Sequence, residues 1–399
     1  MTVSDHIRSQ FLTRVVVRNF RSIGGCDVSL DPLTFLVGPN GSGKSNFLDA
    51  LRLIADSLRT SLDHALRDRG GINEVRRRSS GHPTNFGIRL EFRLSDGLFG
   101  AYAFEVGAQR GSYEITKEEC TTGHARYVVR SGEVVVAPSE VFPPASSDRL
   151  YLVNAAGLPA FRPVFDALSR MGFYSLNPDH VRALQPPDKG DILARDGSNL
   201  ASVLERLEKS SPQVKTRVEE YLRMVVPGIE GVSRVAAGHM ETLQFRQSIA
   251  GAKDPWRFPA INMSDGTLRA LGLLVALFQS NGSGRVPLVG IEEPEVALHP
   301  AAAGVLRDAL RDASRHTQVL VTSHSPELLD DPSIPDEAII AVASDHGRTR
   351  MARLDDAGRS ALRERLYTAG ELLRVDQLRP DETAVPSESQ LHLFESDGR

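Results

Sequence analysis

Lysine is scarce in this chain: only six of its 47 basic residues are lysines, and the rest are arginines. Cysteine is scarcer still. Two residues, Cys26 and Cys120, cannot build a disulfide framework. Long apolar runs are missing as well. The longest, Leu268 to Phe278, is interrupted by Arg269 and is far too short to span a bilayer. Residues Met1 to Gln10 are polar and carry no signal-peptide core. These absences predict a soluble, cytoplasmic protein with no membrane partner. The net charge of −4 gives no overall basic footprint, so any contact with nucleic acid has to come from a local patch. There is no internal repeat and no segment long enough for an extended coiled coil. At 399 residues the chain exceeds one small core and calls for one large domain or two lobes.

What is present is patterned. Thr13 to Asn19 reads as a strand, and Leu33 to Val37 as a short buried one. A glycine-rich loop follows directly. From Asn46 to Leu66, Phe47, Leu48, Leu51, Ile54, Leu58, Leu62 and Leu66 recur at helical spacing. Short alternating runs separated by Gly and Ser turns, from Asn85 to Val136, predict an antiparallel meander. Ala137 to Ser147 reads as a connector and Phe173 to Leu176 as a strand. Asn199 to Met224 predicts a helical pair broken near Pro212, and Ser233 to Ala236 and Glu241 to Gln247 read as strands. Helix and strand then alternate: helix Thr267 to Gln279, strand Val286 to Ile291, helix Pro300 to Ser314, then strands Gln318 to Thr322 and Ala338 to Ala343. That alternation predicts an α/β fold with a mostly parallel sheet and flanking helices. The expected divisions are 1–136, 137–257 and 258–375, followed by a polar, disordered tail over 376–399.

Four stretches carry chemistry. Gly38-Pro39-Asn40-Gly41-Ser42-Gly43-Lys44-Ser45 has the spacing of a phosphate-binding loop between a strand and a helix. Its glycines let backbone N–H groups turn onto phosphate oxygens at a helix N-terminus. Lys44 would reach the β- and γ-phosphates of a nucleotide, and Ser45 would ligate Mg²⁺. The apolar run Leu288 to Ile291 ends in Glu292, Glu293, Pro294 and Glu295. One of those acids can hold Mg²⁺ and the next can deprotonate a water. The run Val319 to Ser323 ends in His324, a candidate partner for a γ-phosphate or a lytic water. Ser264-Asp265-Gly266-Thr267 is a helix cap, and a capped helix start is also an anion site.

Together these stretches resemble the ATP-binding-cassette ATPases, and within them the RecF/SMC-like branch, which includes AAA-type ATPases of the RecF and OLD kind. Thr13 to Ser22, with Asn19-Phe20-Arg21-Ser22, is similar to that branch's N-terminal strand and turn. The resemblance covers residues 13–60 and 260–330. It implies a P-loop NTPase with a mixed sheet, an antiparallel β subdomain and a compact helical lobe. By position it makes Lys44 and Ser45 the Walker A lysine and Mg²⁺ ligand. Glu292 takes the Walker B acid position, Glu293 that of the catalytic base and His324 that of the switch histidine. Gly38 to Ser45, Asn46 and Arg18 form the nucleotide-binding set. Ser264, Asp265 and Gly266 resemble the signature that completes the site of an opposite protomer, and Ala297-Leu298-His299-Pro300 falls where the D-loop lies. Two departures stand out. Glu292 replaces the usual Asp, and the Q-loop place holds Asn177, with Gln185 further on.

The implied partner is a second copy, in a head-to-tail dimer with ATP in the interface. The function expected first is ATP-driven dimerisation coupled to double-stranded DNA in recombination or double-strand break repair. Arg67, Arg69, Arg76, Arg77 and Arg78 form a candidate DNA patch. The alternative is an ATPase sensor subunit of an anti-phage defence system that regulates a separate nuclease or toxin. No nuclease motif is evident, and the region after Pro335 is short for an added nuclease domain. A nucleotide-gated binding module without turnover is disfavoured by Glu293 and His324.

Overall fold

A computed structural model describes residues 9–78, 84–109, 112–279, 286–296, 299, 302–386 and 390–395. The chain forms two compact units, each discontinuous in sequence. One comprises Gln10–Met171 with Asp331–Arg399, the other Met1–Ser9 with Gly172–Asp330. Among the described residues no helix is long and apolar enough to cross a membrane.

In the first unit, ten strands run in the order Glu133–Val136, Ala125–Arg130, Ser112–Thr122, Phe99–Gln109, Asn85–Arg93, Leu12–Phe20, Ile23–Ser29, Arg348–Arg353, Ile339–Asp345 and Leu33–Val37. The first seven pair antiparallel. Arg348–Arg353 then runs parallel to Ile23–Ser29, and Ile339–Asp345 parallel to Leu33–Val37. The expected meander is therefore one arm of a mixed sheet. Leu33–Val37 is apolar and buried from Thr34 onward, as a central parallel strand must be. The single helix expected to Leu66 is split. Lys44–Arg59 ends, and Ser61 caps a new helix, Leu62–Arg67, by accepting from the His64 N–H. The apolar spacing reads through the break because Leu62 and Leu66 are buried on the second helix too.

The tail is not the disordered segment its composition suggests. Leu391 and Leu393 are buried against Val16. They occupy gaps left by two glycines: a Cβ on Gly25 would lie 2.4 Å from Leu391, and one on Gly87 2.3 Å from Leu393. Arg89 donates to the Leu393 carbonyl at 3.2 Å, and the Lys117 ammonium sits 4.4 Å from the centre of the Phe394 ring. Two leucines at a spacing of two are a strand-like pattern too short to register against a polar background, and their partners lie hundreds of residues away. Residues 387–389 and 396–399 lie outside the described residues.

The second unit holds three parallel strands, Gln318–Ser323, Leu288–Glu292 and Gly172–Tyr174, in that order. Helices Leu200–Ser210 and Pro212–Val225 make the helical lobe, with Pro212 starting the second where it has no N–H to lose. Tyr221 stacks on Phe278 at 5.5 Å, joining the lobe to the almost wholly buried helix Asp265–Phe278. A separate antiparallel sheet contains Ile229–Ala237, Met240–Gln247 and Trp256–Pro259.

Candidate nucleotide site

The phosphate loop is shaped by contacts its own sequence does not contain. Gly41 and Gly43 have φ of +77° and +104°, a region glycine enters without strain. A Cβ on Gly43 would lie 1.9 Å from Thr349 Oγ1, and one on Gly38 1.9 Å from the Val342 carbonyl. Thr349 Oγ1 donates to the Ser42 carbonyl at 2.9 Å and meets Ser22 Oγ at 2.7 Å. Asn46 Nδ2 donates to that same Ser22 Oγ at 2.6 Å. Ser22, Thr349 and Asn46 thus brace the loop from behind, and of the three only Asn46 was expected in the site. Lys44 is buried and donates to the carbonyls of Gly38 and Pro39 at 2.8 and 3.0 Å. Ser42 Oγ is buried with no hydrogen-bond partner among the described residues. A side-chain-free cradle, an orphaned hydroxyl and the unsatisfied N–H groups of a helix's first turn fit a polyphosphate. Arg18, placed in the nucleotide-binding set, makes an ion pair with Glu105 in the antiparallel arm.

In the second unit, parallel register sets Glu292 opposite Thr322, so the two strands deliver their acids and His324 to one edge. Glu293 stands at φ +45°, a costly position for a residue that carries a Cβ. Its N–H is tied to both the carbonyl and Oγ1 of Thr322, at 3.0 and 3.2 Å. His324 Nδ1 lies 3.2 Å from Glu293 Oε1. Behind them Glu295 Oε1 accepts from Ser323 Oγ at 2.6 Å and from the His324 N–H at 3.3 Å. Glu292 pairs with Arg195 at 3.2 Å. The extra methylene of Glu over Asp extends that reach. Among the described residues no group of three or more His, Cys, Asp or Glu side chains is placed to hold a metal ion. Ser45, in the first turn of the helix Lys44–Arg59, offers the kind of hydroxyl that Mg²⁺ takes beside phosphate oxygens and its own waters.

Ser264 caps the helix Asp265–Phe278 by accepting from the Thr267 N–H at 3.2 Å, with Gly266 in its first turn. Asp265 is engaged by Arg182. Asn177 caps the short helix Pro178–Arg182. Gln185 lies inside the second unit. It is buried, donates to the carbonyls of His180 and Gly197 and accepts from the Ala201 N–H at 2.9 Å. Of the expected D-loop, Ala297, Leu298 and Pro300 lie outside the described residues. The arginine run after the first helix is largely consumed internally. Arg69 is buried between Asp49 and Asp56 at 3.0 and 2.8 Å, Arg67 pairs with Asp63 at 2.9 Å, and Arg78 pairs with Glu74.

Loop, acidic strand end and capped helix define a P-loop ATPase of the ABC type, in its RecF/SMC-like branch. The chain belongs to the family described as "AAA domain, putative AbiEii toxin, Type IV TA system", which it matches over residues 33–131 and 176–330. It is similar to the DNA replication and repair protein RecF of Vibrio vulnificus (strain YJ016), 48% identical over 44 residues, 11% of this chain and 12% of that one. It is also similar to the Old nuclease of Escherichia phage P2, 23% identical over 344 residues, 80% of this chain and 57% of that one. The chain therefore spans less than two thirds of the length of either relative. Among solved structures, an SMC head bound to the C-winged helix domain of ScpA superposes with a TM-score of 0.55 at 15% identity, covering 87% of this chain and 99% of that one. The Pyrococcus furiosus SMC head with an extended coiled coil gives 0.54 at 14% identity, covering 89% and 99%. Both show the fold.

Proposed function

We propose that this chain is a Mg²⁺-dependent ATPase whose ATP-driven homodimerisation is coupled to double-stranded DNA in recombination or double-strand break repair. Gly38 to Ser45 hold the phosphates, with Lys44 exchanging loop carbonyls for phosphate oxygens. Ser45 would be a ligand to Mg²⁺, as would Glu292 by its place at the acidic strand end, and the bound ion would neutralise phosphate charge. Glu293 takes the proton of a water, and His324 orients and supports that carboxylate. The observation that carries this reading is the Glu293–His324 contact at 3.2 Å on a strained, doubly anchored backbone, because a switch without turnover needs no such pair. In a head-to-tail dimer, Ser264 to Gly266 complete the site of the second copy. The test is phosphate release by the full chain with and without duplex DNA. Turnover stimulated by DNA supports the reading, and absence of turnover in both conditions overturns it.

A second reading is supported by the likeness to the phage Old nuclease along 80% of the chain and by the toxin named in the family description. Here the ATPase is a sensor subunit of an anti-phage defence system that regulates a separate nuclease or toxin. Co-purification of such an effector, with ATPase activity indifferent to DNA, selects this reading over repair.

A further inference from the structure

The arginines that stand out in sequence are mostly in ion pairs, whereas three that do not stand out have no ion pair among the described residues. Arg246 and Arg257 are direct cross-strand partners in the small antiparallel sheet. Both are exposed. On the other side Arg246 pairs with Gly231, where a Cβ would lie 2.4 Å from the Arg246 guanidinium. The missing side chain lets that guanidinium lie across the strand. Next to Gly231, the Glu230 carbonyl accepts two hydrogen bonds from the exposed Arg223, at 3.2 and 2.7 Å. Arg246 and Arg257 therefore lie side by side on adjacent strands, roughly 5 Å apart at ordinary strand spacing, and Arg223 reaches the backbone beside Gly231 from the lobe helix.

No acid of the described residues lies within ion-pair distance of any of the three. Glu219 approaches the same Gly231, but its carboxylate takes Lys215 at 3.0 Å and the Val232 N–H at 3.0 Å. The Glu230 carboxylate takes Ser248 Oγ. Like charges on adjacent strands repel and cost stability, so an anion that bridges the exposed Arg246 and Arg257 relieves that repulsion. Arginine's planar, weakly hydrated fork of donors suits phosphate oxygens, which it can engage two at a time.

We infer that Arg223, Arg246 and Arg257 are a contact surface for the phosphate backbone of duplex DNA. This rests on the DNA-coupled reading above and moves the contact away from the run at Arg67 to Arg78. The test is fluorescence anisotropy of a labelled duplex with the full chain, ATP and Mg²⁺, between about 50 and 200 mM salt. Arg246→Gln with Arg257→Gln is expected to weaken binding roughly tenfold and to lower the slope of log K against log salt by about two. ATP affinity by calorimetry stays unchanged. Arg246→Lys with Arg257→Lys keeps the slope, which separates charge from folding. Arg67→Gln with Arg78→Gln leaves slope and affinity as in the wild type. A wild-type slope in the 246/257 glutamine variant overturns the proposal, as does its transfer to the 67/78 variant. Wild-type chain that binds no duplex overturns the DNA-coupled reading along with it. If binding to an acidic polypeptide, and not to duplex, is lost in the glutamine variant, the surface is a protein contact and the proposal fails.

Discussion

The phosphate loop and the acidic strand end solve opposite problems. The loop must leave room, so its key positions are glycines at positive φ, braced from outside by Thr349 and Ser22. The acidic edge must hold a side chain where backbone sterics oppose one, so Glu293 sits at φ +45° and is tied down twice by Thr322. Where the loop gains stability from an absent side chain, the edge gives up stability to present one. On the proposed reading the first binds and the second reacts, and each is expected to fail in its own way.

Removing the reactive group should produce the largest effect. Glu293→Gln is expected to cut phosphate release by about 10³-fold while keeping ATP affinity, since proton transfer typically contributes 10²–10⁴-fold. The ATP-bound dimer should then accumulate. Light scattering with ATP and Mg²⁺ checks this, and a strictly monomeric mutant would falsify the dimer. Lys44→Ala should weaken ATP binding about 100-fold by calorimetry, the loss expected for charge-assisted hydrogen bonds. Loss of turnover with retained affinity would break the assignment of the loop as the binding half.

Paired glycine substitutions sharpen the contrast in sign. Gly43→Ala should destabilise the chain by about 2 kcal/mol, because the new methyl meets Thr349 in a backbone region alanine disfavours. Glu293→Gly should stabilise it by about 1 kcal/mol while abolishing turnover. Urea titration of both variants reads the two signs, and equal signs would remove the distinction drawn here.

A smaller effect concerns pH. Glu118 is fully buried and accepts from the hydroxyls of Tyr102 and Tyr127 and from the N–H groups of Tyr151 and Leu152. Burial outweighs those donors and lifts its carboxyl from 4.5 to about 7. The folded chain then holds a proton that the unfolded chain releases between those values. The stability contribution is full below about 4.5 and is lost as pH rises through about 7. Thermal unfolding should therefore occur at lower temperature at about pH 8 than at about pH 6, and Glu118→Gln should flatten the difference.

The loop and both strand ends were legible in sequence because each is a contiguous run whose chemistry is written in neighbouring letters. Their supports were not. Ser22 and Thr349 meet across 327 residues, and Arg195 reaches Glu292 across 97. The strands Ile23–Ser29 and Arg348–Arg353 escaped notice because Gly24-Gly25 and the alternating arginines dilute the apolar signal. Arg69 misled in the other direction. Its place in a basic run suggested solvent, whereas Asp49 and Asp56, on the helix Lys44–Arg59, draw it into the core. The Arg246–Arg257 pair exists only through strand register, which no local pattern states.

The tail has a consequence for how the chain is made. Val16, Gly25 and Gly87 emerge from the ribosome early, but the leucines that fill the space beside them are residues 391 and 393. The hairpin Ile339–Asp345 and Arg348–Arg353, which completes the phosphate loop's surroundings through Thr349, also arrives late. The first unit therefore cannot close during synthesis of its own N-terminal half. Its early strands must wait, partly uncovered, for more than three hundred further residues, a period in which a chaperone or a neighbouring nascent chain competes for the same apolar face.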